Sequence, residues 1–395
     1  MTQVMKGIRV IEVAEHAFVP GAGALLADWG AHVIKIEPAE RGDAGRALTN
    51  VGSGVNLLFQ HANRGKRSIG LDLLKPEARE ILYKLVETAD VFITNKQPRV
   101  RRKLEIDVEH IRARNPKIIY LRGSGQGAYG PEKEQGAYDL LTYWHRAGAS
   151  SAVASPRGEV PFLPAPGFGD FTGAMFIAGG VMGALFHRER TGEAPIVDVS
   201  LLSTGMWAMG ASGAVAATEG HFTWPPQVRN PLSAIYPTKD GRHVAICCLQ
   251  AGHYWPLLCK CIGIPELADD PRFKDHATIM GNFLVAEDIL TKIFSALTLP
   301  QVRAMLADFS GQWTVVQEVV ETVTDPQAYA NGYIQECRTA DGRPYKLIAA
   351  PVQYDGKAAV PGRGPEFNEH CDEILAEVGI DTEAMIDLKI RGIVA

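Results

Sequence analysis

The 395-residue chain lacks any excess of positive charge: 40 Lys and Arg stand against 45 Asp and Glu, a formal net charge of −5. Neither a nucleic-acid backbone nor an anionic membrane surface is therefore an expected partner. Cysteine is scarce and late, with only Cys247, Cys248, Cys259, Cys261, Cys337 and Cys371. That is far from the density of a disulfide-stapled secreted scaffold, and reduced thiols in a cytoplasmic protein are expected. HExxH and GxSxG are both missing, Cys259-x-Cys261 has no matching pair, and the histidines are scattered. No metal site and no serine-hydrolase elbow is expected. The opening residues MTQVMKGIRVIEVAEH run straight into a strand pattern without a signal core. The longest mostly apolar stretch, 171–186, falls short of the roughly 20 residues that span a bilayer, so it reads as a buried helix.

What the chain does have is enough apolar residues, 46%, for two domains with at least one large core. Its first half alternates β-branched runs (GIRVIEVA, AHVIKIE, SIGLDL, DVFITN, KIIYL) with helical patterns. This alternation predicts an α/β fold, with a mostly parallel sheet carrying helices on its faces. In the helix predicted from Pro76, Ala78, Ile81, Leu82, Leu85 and Val86 make one apolar face, and Pro76 suits the first turn. Residues 123–169 are rich in Gly, Ala, Ser and Pro and read as long loops, which on a rigid sheet are often functional. A helical pattern over 170–189, the strand IVDVSL and a small-residue helix over 201–218 follow. Near His221 the composition shifts, and a smaller α+β domain is expected over 225–330, with a tight turn at Lys239-Asp240-Gly241 between two strands. The large domain is then expected over 1–220, and residues 331–395, with helices over 370–378 and 382–391, to return to it.

Three chemistries compete on local sequence. Gly21-Ala22-Gly23 follows a strand and Glu37 ends the next one, as in a dinucleotide-binding unit, but the first glycine comes late and Leu26 stands where a third small residue belongs. Turn and packing glycines account for it more simply. A metal or nucleophilic hydrolase finds no ligand spacing. The third reading starts at Gly169-Asp170, where a carboxylate opens an apolar, small-residue helix after PAPGFG. A helix cap is the plainer role, the cap and the helix dipole both favouring the ionised form. An ionised carboxylate beside an open glycine-rich loop can also attack an activated acyl group.

At this point GIRVIEVAEHAFVPGAGALLADWGAHVIKIEPAERGD, NRGKRSIGLDLLKPEAREILYKLVETADVFITN, NPKIIYL, GAYDLLTYWHRAG, GDFTGAMFIAGGVMGALFHRERTGE, VDVSLL, NPLSAIYPTKDGRHVAI and FNEHCDEILAEVGI, taken in order, resemble the family III CoA-transferases, a group that includes formyl-CoA transferases, carnitine CoA-transferases and α-methylacyl-CoA racemases. The resemblance covers most of the chain. It implies a Rossmann-like large domain built from both chain ends, a smaller α+β domain inserted between them, and an interlocked homodimer.

The aspartate of the family's GD motif falls on Asp170, which would carry the acyl group. Attack on an acyl-CoA thioester gives a mixed anhydride and CoA thiolate, and return of the thiolate gives an aspartyl thioester and the donor acid. A free carboxylic acid then runs the steps in reverse, so neither ATP nor a tightly bound cofactor is needed, and the CoA thioester is itself a substrate. Backbone N–H groups near 167–171 or 123–127 are candidate oxyanion donors.

For CoA, the resemblance points to KRSIGLDL with Leu71, to Asn95, and to Lys103, where formyl-CoA transferases have an arginine. Arg64, Lys66, Arg67, Arg99, Arg101 and Arg102 make the surrounding sequence basic, as a phosphorylated ligand would favour. The racemase branch has a histidine where this chain has Tyr138. A phenol with an ordinary pKa of about 10 is a poor base at neutral pH, so acyl transfer is favoured, with Tyr138 against CoA. Asp139 remains for proton transfer with Asp170, which keeps a racemase or isomerase as the alternative. A non-catalytic acyl-CoA-binding protein is the other. The glycine-rich lid tract of formyl-CoA transferases is missing, and bulky Tyr143-Trp144-His145-Arg146 follows Asp139. Oxalate and formate are therefore disfavoured. Trp144 could line a pocket for a larger acyl group, and His145 could meet a carboxylate.

Overall fold

The computed structural model describes residues 1–48, 54–154, 158–222 and 228–395. They form two compact units, Met1–His221 with Pro326–Ala395, and Phe222–Asp325. The larger unit runs β1 (Arg9–Val13), α1 (Phe18–Asp28), β2 (His32–Pro38), α2 (Leu57–Asn63), β3 (Arg67–Leu71), α3 (Pro76–Glu87), β4 (Val91–Thr94), α4 (Pro98–Lys103), α5 (Val108–Arg114) and β5 (Ile119–Ser124). After a π-helical stretch at Leu140–Arg146 come α6 (Ala149–Ala152), α7 (Phe168–Thr191), β6 (Ile196–Ser200), α8 (Leu201–Ala208) and α9 (Gly210–Glu219).

The six strands make one parallel sheet in the order β3-β2-β1-β4-β5-β6, the doubly wound arrangement. The two-residue period of a strand sorts the side chains between two cores. Ile11, Ile34, Phe92 and Tyr120 pack on the side of α3 and α5. Val10, Val33, Val91, Ile93, Ile119 and Leu121 pack on the side of α1 and α7. Both faces are covered, which is why these strands read as nearly continuous apolar runs.

The smaller unit holds an antiparallel sheet of β7 (Ser233–Pro237), β8 (His243–Cys247) and β9 (Trp313–Val315). The β7–β8 turn uses Gly241 at φ 76°, with the Thr238 N–H donating to the Arg242 carbonyl. Helices α10 (Ala251–Cys261), α11 (His276–Gly281), α12 (Phe283–Ser295), α13 (Leu299–Met305) and the short α14 (Val319–Thr322) complete it. Its core centres on Tyr236, Trp255, Phe273 and Phe294, all fully buried.

The last segment rejoins the larger unit with α15 (Pro326–Ala330), a β10 (Ile334–Arg338) and β11 (Pro344–Ile348) hairpin, α16 (Cys371–Glu377) and α17 (Thr382–Ile390). Ile374, Leu375, Met385 and Leu388 fill the α3 side of the sheet. The chain end lies along β3, where the Ala395 N–H donates to the Gly70 carbonyl.

The apolar stretch 171–186, expected to be too short to span a bilayer, lies in a helix of 24 residues that is, by length and composition, apolar enough to cross a membrane. Gly173, Ala174, Ile177, Ala178, Val181 and Ala184 bury one of its faces, and Phe176 and Phe186 are exposed on it. The small residues are there because α1 lies close: a Cβ on Gly173 would overlap Phe18, and one on Gly21 would come to 3.1 Å from the Ala174 Cβ.

Candidate active site

The strand order reverses between β1 and β4, and the crevice outside the carboxyl ends of strands at such a point is where open α/β sheets bind ligands. A cavity of about 420 Å³ opens there, lined by Glu15 and His16 after β1, Asn95 and Lys96 after β4, Gly123 in β5 and Gly125 just after it, and by Tyr138 and Asp170. A second cavity, of about 620 Å³, shares Arg41, Lys96 and Val100 with it and contains Leu71 and Lys103. The expected CoA residues thus fall along one groove, with Leu71 and Lys103 in one part and Asn95, Tyr138 and Asp170 in the other.

Asp170 sits in the first turn of α7, three residues after the cap position, which Gly167 occupies at φ 75°. The side chain makes no capping bond, so the plain cap reading is replaced. Burial, reinforced by the charge of Asp139, pushes its carboxyl up to about 7. The helix dipole was expected to keep it ionised, but desolvation outweighs that effect. Asp139 is also raised by burial, although N–H groups of Leu140, Gly169, Gly167 and Asp170 partly offset this. Its Oδ1 accepts from Leu140 N–H at 2.8 Å, and its Oδ2 is buried without a hydrogen-bond partner among the described residues. The backbone donors at the start of α7 therefore act on Asp139.

The other expected residues divide. Tyr138 is 59% exposed in the cavity and meets the His16 ring edge-on at 5.7 Å. Asn95 uses its amide on the Glu15 backbone, accepting from the N–H at 3.1 Å and donating to the carbonyl at 2.7 Å. It shapes the loop as well as lining the cavity. Of the residues expected in the substrate pocket, Asp139, Trp144 and His145, none lines either cavity. Trp144 is buried under Phe168 and donates to the Pro161 carbonyl, and His145 contacts the Ser150 hydroxyl at 2.9 Å.

Much of the basic sequence turns inward. Arg64 pairs with Asp28 at 2.8 Å, Arg101 with Asp107 at 3.1 Å and Arg67 with Glu377. Lys66 is fully buried, 2.7 Å from Glu12 Oε2. On α4, Arg99, Arg102 and Lys103 are exposed, with Arg102 pairing with Glu134 at 2.9 Å.

Sequence reasoning missed the β1–α1 corner. His16 has φ 70°, a left-handed conformation uncommon outside glycine. Its N–H donates to Asp43 Oδ1 at 3.0 Å. Lys35 joins this corner to the sheet, lying 2.7 Å from Asp43 and 3.0 Å from Glu12 and donating to the Ala14 carbonyl at 2.9 Å. Asp43, although burial alone would raise it, is held down to about 2, chiefly by Lys35. Gly23 leaves room for this network, since a Cβ there would overlap Glu12 and stand 3.0 Å from Lys66. One signal was available: Glu12 and Lys35 occupy inward positions of otherwise apolar neighbouring strands. Among the described residues no group of three or more His, Cys, Asp or Glu side chains is placed to hold a metal ion.

The chain is similar to (R)-2-hydroxy-4-methylpentanoate CoA-transferase of Clostridioides difficile, at 28% identity over 98% of both chains. It is 30% identical to succinate–glutarate CoA-transferase of Agrobacterium fabrum over 95% of each. Among solved structures, a CaiB/BaiF family protein from Brucella suis superposes with a TM-score of 0.82 at 27% identity, covering 96% of this chain and 100% of the other. The family model for CoA-transferase family III matches residues 5–371. With that match spanning nearly the whole chain, and a six-stranded parallel sheet that superposes on its relatives, the protein belongs to CoA-transferase family III and is an enzyme that transfers CoA between acyl-CoA and carboxylate substrates.

Proposed function

We propose that the enzyme works through covalent chemistry on Asp170, with CoA lying along the groove from the Leu71 and Lys103 cavity to the Asp170 cavity. The observation that carries this reading is a carboxylate in the ligand-binding crevice with no cation beside it among the described residues, pushed up to about 7 by burial and by Asp139. A buried carboxylate of that kind is poorly solvated and keeps appreciable ionised population near neutrality, which suits a nucleophile toward a thioester. Lys103 meets the phosphates as a point charge at the exposed end, and Tyr138 flanks the pantetheine path. The test is incubation with a panel of acyl-CoAs, trapping activated carboxylates with hydroxylamine or borohydride and reading peptides by mass spectrometry. Donor-dependent modification of Asp170 is expected. A modified residue elsewhere, or none in the presence of bound acyl-CoA, would overturn the reading.

The same reading includes an interlocked homodimer. Its support is the apolar surface along α7 to α9: Phe186, Met206 and Val215 are exposed, Trp207 is 73% exposed, and α9 buries no residue. Such a surface is more than a soluble monomer usually shows. Sedimentation should give twice the chain mass, and a monomer would refute it. The six cysteines, all free thiols, fit a cytoplasmic enzyme.

A further inference from the structure

Among the described residues, His16 is the one non-glycine residue lining the Asp170 cavity whose backbone is forced into an unfavourable conformation, and the forces that hold it there come from four directions. Asp43 takes its N–H, Asn95 clamps both backbone groups of Glu15, Lys35 takes the carbonyl of Ala14, and Arg41 and Lys96 hold the Glu15 carboxylate. Strain of this sort persists only where the surroundings over-determine it, and it tends to mark a residue placed for function. The effect is to present the imidazole in the cavity against Tyr138, while its ring nitrogens make no hydrogen bond among the described residues. His16 comes two residues before α1 and Asp170 lies in the first turn of α7, and these helix starts are side by side through Phe18 and Gly173.

The electrostatics of the cavity say what such a donor is for. The acceptor is itself a carboxylate and arrives beside Asp170 and Asp139, so it needs a donor. The Lys and Arg side chains nearest it in the lining are engaged: Arg41 and Lys96 with Glu15, Arg101 with Asp107, Arg122 with Asp198 at 2.6 Å. Lys133 is exposed at the rim.

We infer that the imidazole of His16 binds the free carboxylate substrate and holds it against the thioester on Asp170. This rests on the covalent reading above and adds the second substrate's anchor. One carboxylate oxygen receives the imidazole N–H. The other bonds to the Asp170 thioester carbonyl carbon as the C–S bond breaks, and CoA thiolate leaves with the electron pair. The thiolate then bonds to the acceptor's carbonyl carbon as the anhydride C–O bond breaks, which returns the Asp170 carboxylate. His16 donates a hydrogen bond throughout, and its proton stays on the ring.

The test separates the two substrates. Glycine adopts positive φ without cost, so His16→Gly removes the ring and relieves the backbone, and its thermal midpoint should not fall. Expected for His16→Gly are a KM for the acceptor acid raised tenfold or more, a KM for acyl-CoA changed less than threefold, and trapped Asp170 adduct still formed from acyl-CoA alone. His16→Asn, which tolerates the same φ and keeps a donor, should recover part of the acceptor KM. An acceptor KM within threefold of the parent, or an equal rise for both substrates, would overturn the inference. Absence of adduct in the parent enzyme would instead remove the Asp170 reading, whatever the His16 variants do.

Discussion

Two groups of buried carboxylates lie in the larger unit, and they are built in opposite ways. At the β1–α1 corner, Glu12, Glu37 and Asp43 meet Lys35, Lys66 and Arg46 at 2.7–3.0 Å. Asp43 is held down to about 2 there, and Glu37 also lies below its ordinary value in spite of burial. Asp139 and Asp170, at the start of α7, have no cation beside them among the described residues, and both are pushed up. Pairing makes the first group a structural brace with fixed charge. Want of pairing leaves Asp170 in the second with a proton equilibrium near neutrality, which is where reactive groups tend to lie.

The sharpest break in this comparison is Asp170→Asn. On the proposed covalent chemistry transfer should fall by about three orders of magnitude or more, while acyl-CoA binding by calorimetry changes little. Unchanged turnover would take Asp170 out of the mechanism. The corresponding cut at the brace is Lys35→Met, which leaves Asp43 and Glu12 short of a buried counter-charge. That should cost about 3–5 kcal/mol in urea unfolding, far more than an exposed pair would. A loss below about 1 kcal/mol would mean that the brace does not hold the corner.

The same Asp170→Asn variant has a smaller effect of opposite sign on stability. The carboxyl's value rises from about 4 when unfolded to about 7 when folded, so the folded state binds the extra proton between those limits. Its contribution is present at low pH and lost as pH rises through 7. The variant should match the parent near pH 4 and exceed it in stability by up to about 4 kcal/mol at pH 8. Melting curves at the two pH values check this, and a pH-independent difference would contradict the burial argument.

Much of this was legible in the residues. Apolar alternation gave the parallel sheet, and Asp170 stood out as a carboxylate opening a small-residue helix. The glycines of Gly21-Ala22-Gly23, suspected of packing, do pack: one against α7 and one around the Glu12 carboxylate. What was not legible depends on contacts made over long sequence separations. Lys66 reads as a phosphate ligand until Glu12, 54 residues earlier, is seen beneath it. The φ of His16 is imposed by Asp43 and by Asn95, 27 and 80 residues from the atoms they hold. Trp144 and His145 misled because a bulky run after Asp139 says nothing about which side of the π-helical turn faces the cavity.

The finest cut separates the two causes that raise Asp170. Burial is the larger and the Asp139 charge the smaller, so Asp139→Asn should remove only the second. The profile of kcat/KM for acyl-CoA reports the free enzyme, and if Asp170 attacks as proposed it must be ionised, so the parent's activity should fall as pH drops through about 7. In Asp139→Asn the inflection should move to lower pH, by up to about one pH unit, while staying above that of an ordinary aspartate because burial remains. Activity at pH 6 would then be a larger fraction of its alkaline plateau than in the parent. An inflection that stays in place would show that Asp139 carries no charge while Asp170 titrates, and burial alone would then account for the raised Asp170 carboxyl.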